Sequence, residues 1–202
     1  EKKGMTFSAG LRSILRQDPN KIMVGEIRDP ETAKIAINAA LTGHLVLSTI
    51  HANNVIDAIS RLTNMEIDPY EFVSSFNLII SQRLIRIICP NCKTEDKTIS
   101  DEARQLTPDF GEHAEVAFYR GTGCRYCHQM GYQGRKGIFE VLEMSPPIKQ
   151  MILNHDSPLK IKAQARSEGM ITLRQAAWAR VTNGETTFDE LNRVTFEEGS
   201  LK

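Results

Sequence analysis

Three stretches of this sequence have residue types and spacings that can do chemistry. In KIMVGEIRD, Lys21 to Asp29, an apolar run ends at Gly25 and then delivers Glu26, Arg28 and Asp29 in quick succession. Asp29-Pro30 has the form of a helix N-cap followed by a first-turn proline, which accounts for Asp29. Glu26 is left over. At a strand end it stands where phosphate-hydrolysing α/β enzymes keep a carboxylate to hold Mg²⁺, directly or through water, or to orient the attacking water. A solvated loop glutamate is the plain alternative. In TGHLVLSTIHANN, His44 and His51 bracket a second apolar run, and Thr49, His51 and Asn53 emerge where Glu26 would. A core or surface role is the ordinary reading of one histidine. Two framing a strand beside a carboxylate point to a polar cluster over one crevice.

The third stretch is the cysteine set, CPNC at 89–92 and CRYC at 124–127. Two residues between sulfurs let both thiolates of a pair face one tetrahedral ion from a tight turn, so Cys89, Cys92, Cys124 and Cys127 read as a structural zinc site. Two disulfides are the alternative, disfavoured by the lack of a secretory signal.

These residues need elements to position them. Phe7, Leu11, Ile14 and Leu15 recur at helical spacing, predicting a helix over 7–17 that Asp18-Pro19-Asn20 breaks. Lys21 to Gly25 reads as a short buried strand. Asp29 then caps a helix through Ala33, Ile37, Ala40 and Leu41 that stops at Gly43, and HLVLSTI follows as a second buried strand. Strand, helix and strand, with continuous apolar runs, predict a βαβ unit in a parallel sheet covered on both faces. In such sheets ligands bind outside the carboxyl ends of the strands, which is where Glu26 and the residues after Ser48 emerge.

Farther on, a helix is predicted at about 55–63. Another begins at Asp68-Pro-Tyr-Glu71, which has the form of a capping box, and carries the run Phe72, Val73, Phe76, Ile79 and Ile80. The residues between the cysteine pairs are polar and aperiodic. GYQGRKG reads as a glycine-rich loop leading into the strand candidate IFEVLEM. Helix starts follow at Ser145-Pro-Pro, Ser157-Pro and Thr187-Phe-Asp-Glu190, with stops at Gly169 and Gly184.

Composition narrows the partners. The 202 residues carry 25 basic and 25 acidic side chains, so no bulk charge favours nucleic acid or an anionic membrane. Around the cysteines only Lys93, Arg120 and Arg125 are basic, with Tyr119 and Tyr126 as the nearby aromatics, which is poor material for a nucleic-acid surface. No apolar stretch reaches the roughly 18 residues of a membrane span. The chain starts without Met and enters a patterned segment almost at once, as a fragment of a longer protein would.

Taken together, the motifs resemble those of the secretion and pilus-assembly ATPases, the GspE/PilB group. KIMVGEIRD resembles that family's Walker B segment, TGHLVLSTIHANN its histidine box, and CPNC with CRYC its tetracysteine motif. The likeness extends through LRSILRQDP, SQRLIR, GYQGRKGIFEVL and ITLRQAAWARVTNGETTFDELNRVT. It implies an α/β fold: the downstream half of a RecA-like P-loop core over 1–88, a zinc subdomain with its return strand over 89–143, and a helical region over 144–202. It also implies a cytoplasmic homo-hexamer at the bacterial inner membrane that binds ATP and Mg²⁺ and works with inner-membrane platform proteins. By motif, Glu26 takes the Walker B role, His51 and His44 fall in the box that senses the γ-phosphate, and the four cysteines take the zinc places. Thr49 joins the nucleotide site. Arg12 and Arg16, four residues apart, reach for phosphate or a neighbouring subunit, or simply form a solvated basic face. The closing helices lean toward pilus assembly rather than secretion, and retraction motors are disfavoured because as a family they lack the tetracysteine segment.

One departure stands out. No G-x-x-x-x-G-K-[ST] occurs in these residues, so the loop that cradles phosphates is not among them, and the family's Asp box is missing too. The chain alone is therefore expected to be inactive. The rival reading is a zinc-stapled binding module, a degenerate remnant that docks a membrane platform or a regulator.

Overall fold

A computed structural model describes residues 6–98 and 116–195. Much of the polar stretch between the cysteine pairs lies outside the described residues. The chain divides into two compact units. The first contains residues 1–80 and 141–170, the second 81–140 and 171–202. These do not follow the contiguous segments 1–88, 89–143 and 144–202 expected from the sequence. The chain passes from one unit to the other within two long strands, and the C-terminal helices are shared out between the two cores.

In the first unit, α1 (Phe7–Leu15) is capped by Thr6, whose hydroxyl accepts from the Ala9 amide. Strands β1 (Lys21–Val24) and β2 (Leu45–Ser48) pair in parallel, with Ile22 opposite Val46 and Val24 opposite Ser48. The crossover between them is α2 (Pro30–Leu41), capped by Asp29 as predicted and followed by Thr42 and then Gly43 at φ 102°. Helices α3 (Val55–Thr63) and α4 (Pro69–Ser75) come next, and α5 (Pro146–Leu153) and α6 (Pro158–Ser167) complete the unit. At α4, Asp68 accepts from the Tyr70 amide, an ordinary N-cap bond. Ile22, Val24, Ala33, Ile37, Ile59, Phe72 and Ile148 share one apolar core.

Covering of the sheet on both faces is not what the structure shows. Successive strand residues point to opposite faces, and Ile22 and Val24 go into the core while Met23 stays 77% exposed, Leu45 48% and Leu47 54%. Among the described residues this unit supplies helices to one face of a two-stranded sheet, so a continuous apolar run ends half buried.

The predicted run from Asp68 to Ile80 also divides. After α4 ends at Ser75, Phe76 is already extended, and β3 runs from Leu78 to Ile88. Ile79 is buried and Ile80 exposed; farther along, Ile85 is buried and Leu84 exposed. Period-two burial of β-branched side chains wins over the helical spacing that Phe72 and Phe76 suggest. The glycine-rich stretch is likewise strand: β6 spans Tyr132–Glu143, YQGRKG included, and is hydrogen-bonded to β3. A mate for its backbone groups, invisible in sequence, makes the difference.

In the second unit, β4 (Lys93–Glu95) and β5 (Tyr119–Gly121) form an antiparallel ribbon, and α7 (Leu173–Thr182) and α8 (Phe188–Thr195) pack together. The start of α7 is not among the predicted helix starts, although Thr172 and Gln175 form a capping box there. The core gathers Ile85, Ile138, Leu173, Val181 and Leu191 around Phe118, Trp178 and Phe188. Those three rings meet with centroids 6.0–6.4 Å apart, two of the pairs edge-on, a favoured arrangement for aromatic quadrupoles.

Candidate functional site

The carboxyl ends of β1 and β2 are tied together through the backbone and the hydroxyl of Thr49. The Ile27 amide donates to the Thr49 carbonyl at 2.9 Å, and the Thr49 hydroxyl donates to the Gly25 carbonyl at 2.6 Å. Thr49 is therefore a clamp between strand ends, and this clamp sets Glu26 opposite His51. One Glu26 carboxylate oxygen, Oε2, lies 3.0 Å from His51 Nε2, and the other, Oε1, lies 2.5 Å from an Arg28 guanidinium nitrogen. The guanidinium, helped by the imidazole, holds the Glu26 carboxyl below the usual carboxylate range against the opposing effect of burial, so Glu26 is an anion at neutral pH. Arg28 is 69% exposed, His51 76% and Glu26 27%. The charges open to solvent at the edge where parallel sheets bind ligands.

Other sequence candidates lie elsewhere. His44 stands at the opposite end of β2, its Nδ1 2.9 Å from the Ala39 carbonyl and 3.2 Å from the Thr42 hydroxyl, closing the C-terminus of α2. A ring nitrogen facing a carbonyl has to be the donor. Arg12 pairs with Glu31 of α2 at 3.0 Å, both exposed. Arg16 is the C-cap of α1, one residue past its last helical position. Asn54, next to the predicted Asn53, caps α3 by accepting from the Asp57 amide. Arg28 carries a contact that its motif does not single out; its place two residues past a strand-end glutamate is the signal for it.

The four cysteines converge in the second unit. Sγ of Cys89 lies 3.8 Å from that of Cys124, Cys92 lies 3.8 Å from Cys127, and Cys124 lies 3.7 Å from Cys127, with all four sulfurs within 4.8 Å of one another. A tetrahedron with metal–sulfur bonds of about 2.3 Å has edges of about 3.8 Å, so the set fits Zn²⁺. A disulfide would bring sulfurs to about 2.05 Å. The turn is built to aim sulfurs inward. The amides of Cys124 and Gly131 donate to Cys127 Sγ at 3.2 and 3.3 Å. Burial opposes ionisation of Cys127, but these amides and the neighbouring thiols bring it down to about 6, whereas burial and the adjacent sulfurs push Cys92 up to about 11. Metal ligation takes the thiolate form of cysteine, so zinc binding releases protons. Glycine is required here: a Cβ on Gly121 would lie 2.0 Å from the Gly131 carbonyl oxygen. Sequence reading found all four sulfurs and missed Gln133, whose side-chain oxygen is 3.6 Å from Cys89 Sγ.

Residues 1–193 match the family model described as Type II/IV secretion system protein. This chain belongs to that family. Over 98% of its length it is 45% identical to the type II secretion system protein E of Pseudomonas aeruginosa, spanning 39% of that relative. It is 44% identical over 97% of its length to the type IV pilus assembly ATPase PilB of Acinetobacter baylyi, spanning 34% of that protein. The chain thus covers well under half the length of these relatives, and identity does not separate secretion from pilus assembly. Among solved structures, the pilus retraction motor PilT with bound ADP aligns with a TM-score of 0.65 at 24% identity, covering 96% of this chain and 44% of that one. The Legionella pneumophila ATPase DotB aligns at 0.62 and 21% identity, covering 94% of this chain and 42% of that one. At those identities the likeness shows the fold. In the described residues no helix is long and apolar enough to cross a membrane.

Proposed function

We propose that this chain is the downstream part of the catalytic core of a motor ATPase which, as a complete protein, hydrolyses ATP to drive type II secretion or type IV pilus assembly. The observation that carries the reading is the Glu26 carboxylate, ionised and clamped with His51 outside the carboxyl ends of a parallel strand pair, in a chain belonging to the secretion family. Bound Mg²⁺ would supply charge neutralisation at the transferring phosphoryl group. Glu26 serves that ion or its water and the attacking water, His51 reports the γ-phosphate, and the backbone clamp at Thr49 keeps the two strand ends in register. The complete protein works as a hexamer against inner-membrane platform proteins on the cytoplasmic side, and one zinc ion holds the four cysteines together as a structural staple. Because the phosphate-cradling motif is not among these residues, the chain alone is expected to turn over ATP negligibly.

The test is Glu26→Gln in the complete protein. Shape is retained and charge removed, so hydrolysis falls about 100-fold or more while ATP still binds. Hydrolysis at the parental rate would refute the assignment.

A further inference from the structure

We propose that Gln133 is the positioning residue behind Cys89 of the zinc site, accepting from its thiol before the metal binds and donating to its thiolate afterwards. This role rests on the reading of the four cysteines as a zinc staple. It gives a side chain outside the ligand set control over how tightly the metal is held.

Four thiolates around one divalent cation carry a net negative charge, and part of it lies in the dry interior, where Cys89 is 0% exposed and Cys127 2%. Buried negative charge is stable only where donors face it. Cys127 has two, the amides of Cys124 and Gly131. Among the described residues no backbone amide donates to Cys89 Sγ. The amide of Cys89 itself donates to the Gly131 carbonyl at 3.0 Å, and its sulfur faces the Cys124 thiol at 3.8 Å and the Gln133 side chain at 3.6 Å. The chain before β6 brings Gln133 there: Gly131 bonds to both cysteine turns, through its carbonyl to Cys89 and through its amide to Cys127, and Gln133 follows two residues on.

A side-chain amide carries a donor and an acceptor on one planar group. The Cys89 thiol donates to Oε1 of Gln133. A half-turn about the terminal bond puts Nε2 where Oε1 lies, so the same residue can donate to a thiolate with the backbone unmoved. Gln133 is exposed on its strand, and the turn needs no repacking of the core. A carboxylate at this place could only accept, and an ammonium could only donate.

The probe is zinc itself, titrated into the complete protein against a competing chelator, with the metal still bound by Cys124→Ser subtracted. Three substitutions separate the two functions of the amide. Gln133→Leu has neither and is expected to weaken zinc binding about tenfold, the usual effect of losing the partner behind a metal ligand. Gln133→Glu only accepts and sets a like charge beside the thiolate, so binding should weaken about 100-fold. Gln133→Lys only donates and should bind zinc at least as tightly as the parent. Cobalt(II) in place of zinc reports on the sulfur directly: in Gln133→Leu the thiolate-to-cobalt charge-transfer bands should move to longer wavelength, because a thiolate without its donor gives up charge more readily. Equal weakening in Gln133→Leu and Gln133→Lys, with the cobalt bands unmoved, would make Gln133 structural and overturn the proposal. Affinities within about twofold of the parent in all three variants would overturn it too. A parent that binds no zinc would sink the staple and this role together, whereas a zinc-binding parent with a flat series would sink the role of Gln133 alone.

Discussion

Glu26 and Glu190 each face two basic side chains, and the difference between them separates a site from a staple. At Glu190 the side chain is fully buried, with Arg86 at 2.6 Å and Arg193 at 2.5 Å. It also accepts from the Arg86 amide at 2.8 Å, while Arg86 lies 4.1 Å over the Tyr132 ring and the Tyr132 hydroxyl meets Thr187 Oγ at 2.7 Å. Burial would raise the Glu190 carboxyl, yet the two guanidiniums and the amide bring it down to about 2. Its own amide donates to Thr187 at 3.0 Å, so the helix start predicted at Thr187 is real, but the acid in it reaches out to β3. Glu26 has one guanidinium at 2.5 Å and one imidazole at 3.0 Å, and these partners stand open to water. A desolvated charge is committed to its partners because nothing else can solvate it, whereas an exposed one can trade them.

The largest effect is expected at the metal. Removing zinc with a chelator, or Cys124→Ser, should loosen the second unit, since a structural site contributes its binding free energy to folding. A thermal scan should show a drop of well over about 10 °C, with metal analysis returning about one zinc per untreated chain. No zinc, with the thiols paired as disulfides, would overturn the staple. Next comes Glu190→Ala, which strands two guanidiniums and the Arg86 amide and should cost about 3–5 kcal/mol by urea denaturation. A cost under about 1 kcal/mol would place Glu190 in the same class as Glu26 and break the comparison.

The comparison sharpens with pH. Glu190 is depressed in the fold, so its contribution is present in full above its unfolded value near 4.5 and disappears as pH falls through about 2. Over that window the chain should lose on the order of 3 kcal/mol, less whatever solvent screens at the half-exposed arginines. Glu190→Gln should remove most of that acid slope. The smallest effect on stability is expected for Glu26→Gln and Arg28→Ala, each within about 1 kcal/mol of the parent. A loss of several kcal/mol at Arg28 would make that pair a staple too.

The chemistry-bearing residues were largely legible in the sequence, for physical reasons that differ. The C-x2-C pairs fix their own geometry over a few bonds, and the sulfurs did converge. Apolar runs ending at Gly25 and Ser48 with a helix between them required a parallel pair, and that pair put Glu26 opposite His51. Asp29, Ser145 and Ser157 cap their helices as read, because caps are bonds between near neighbours in the chain.

Long-range partners decided the rest. Whether Ile79 and Ile80 continue a helix or begin a strand, and whether YQGRKG is loop or strand, depends on β3 and β6 finding each other. Glu190 reads as part of a helix start until Arg86, 104 positions away, turns it into the anchor of the second unit. The exposed face of Met23, Leu45 and Leu47 could not be told from a buried one by hydrophobicity, since an apolar run says that a face can be covered and not what covers it. What the sequence determined by itself was local: which atoms can bind metal, accept a proton or cap a helix. Which charges are desolvated, and so committed, and which stay free to exchange was decided by tertiary structure, because burial is a property of the neighbours and not of the residue.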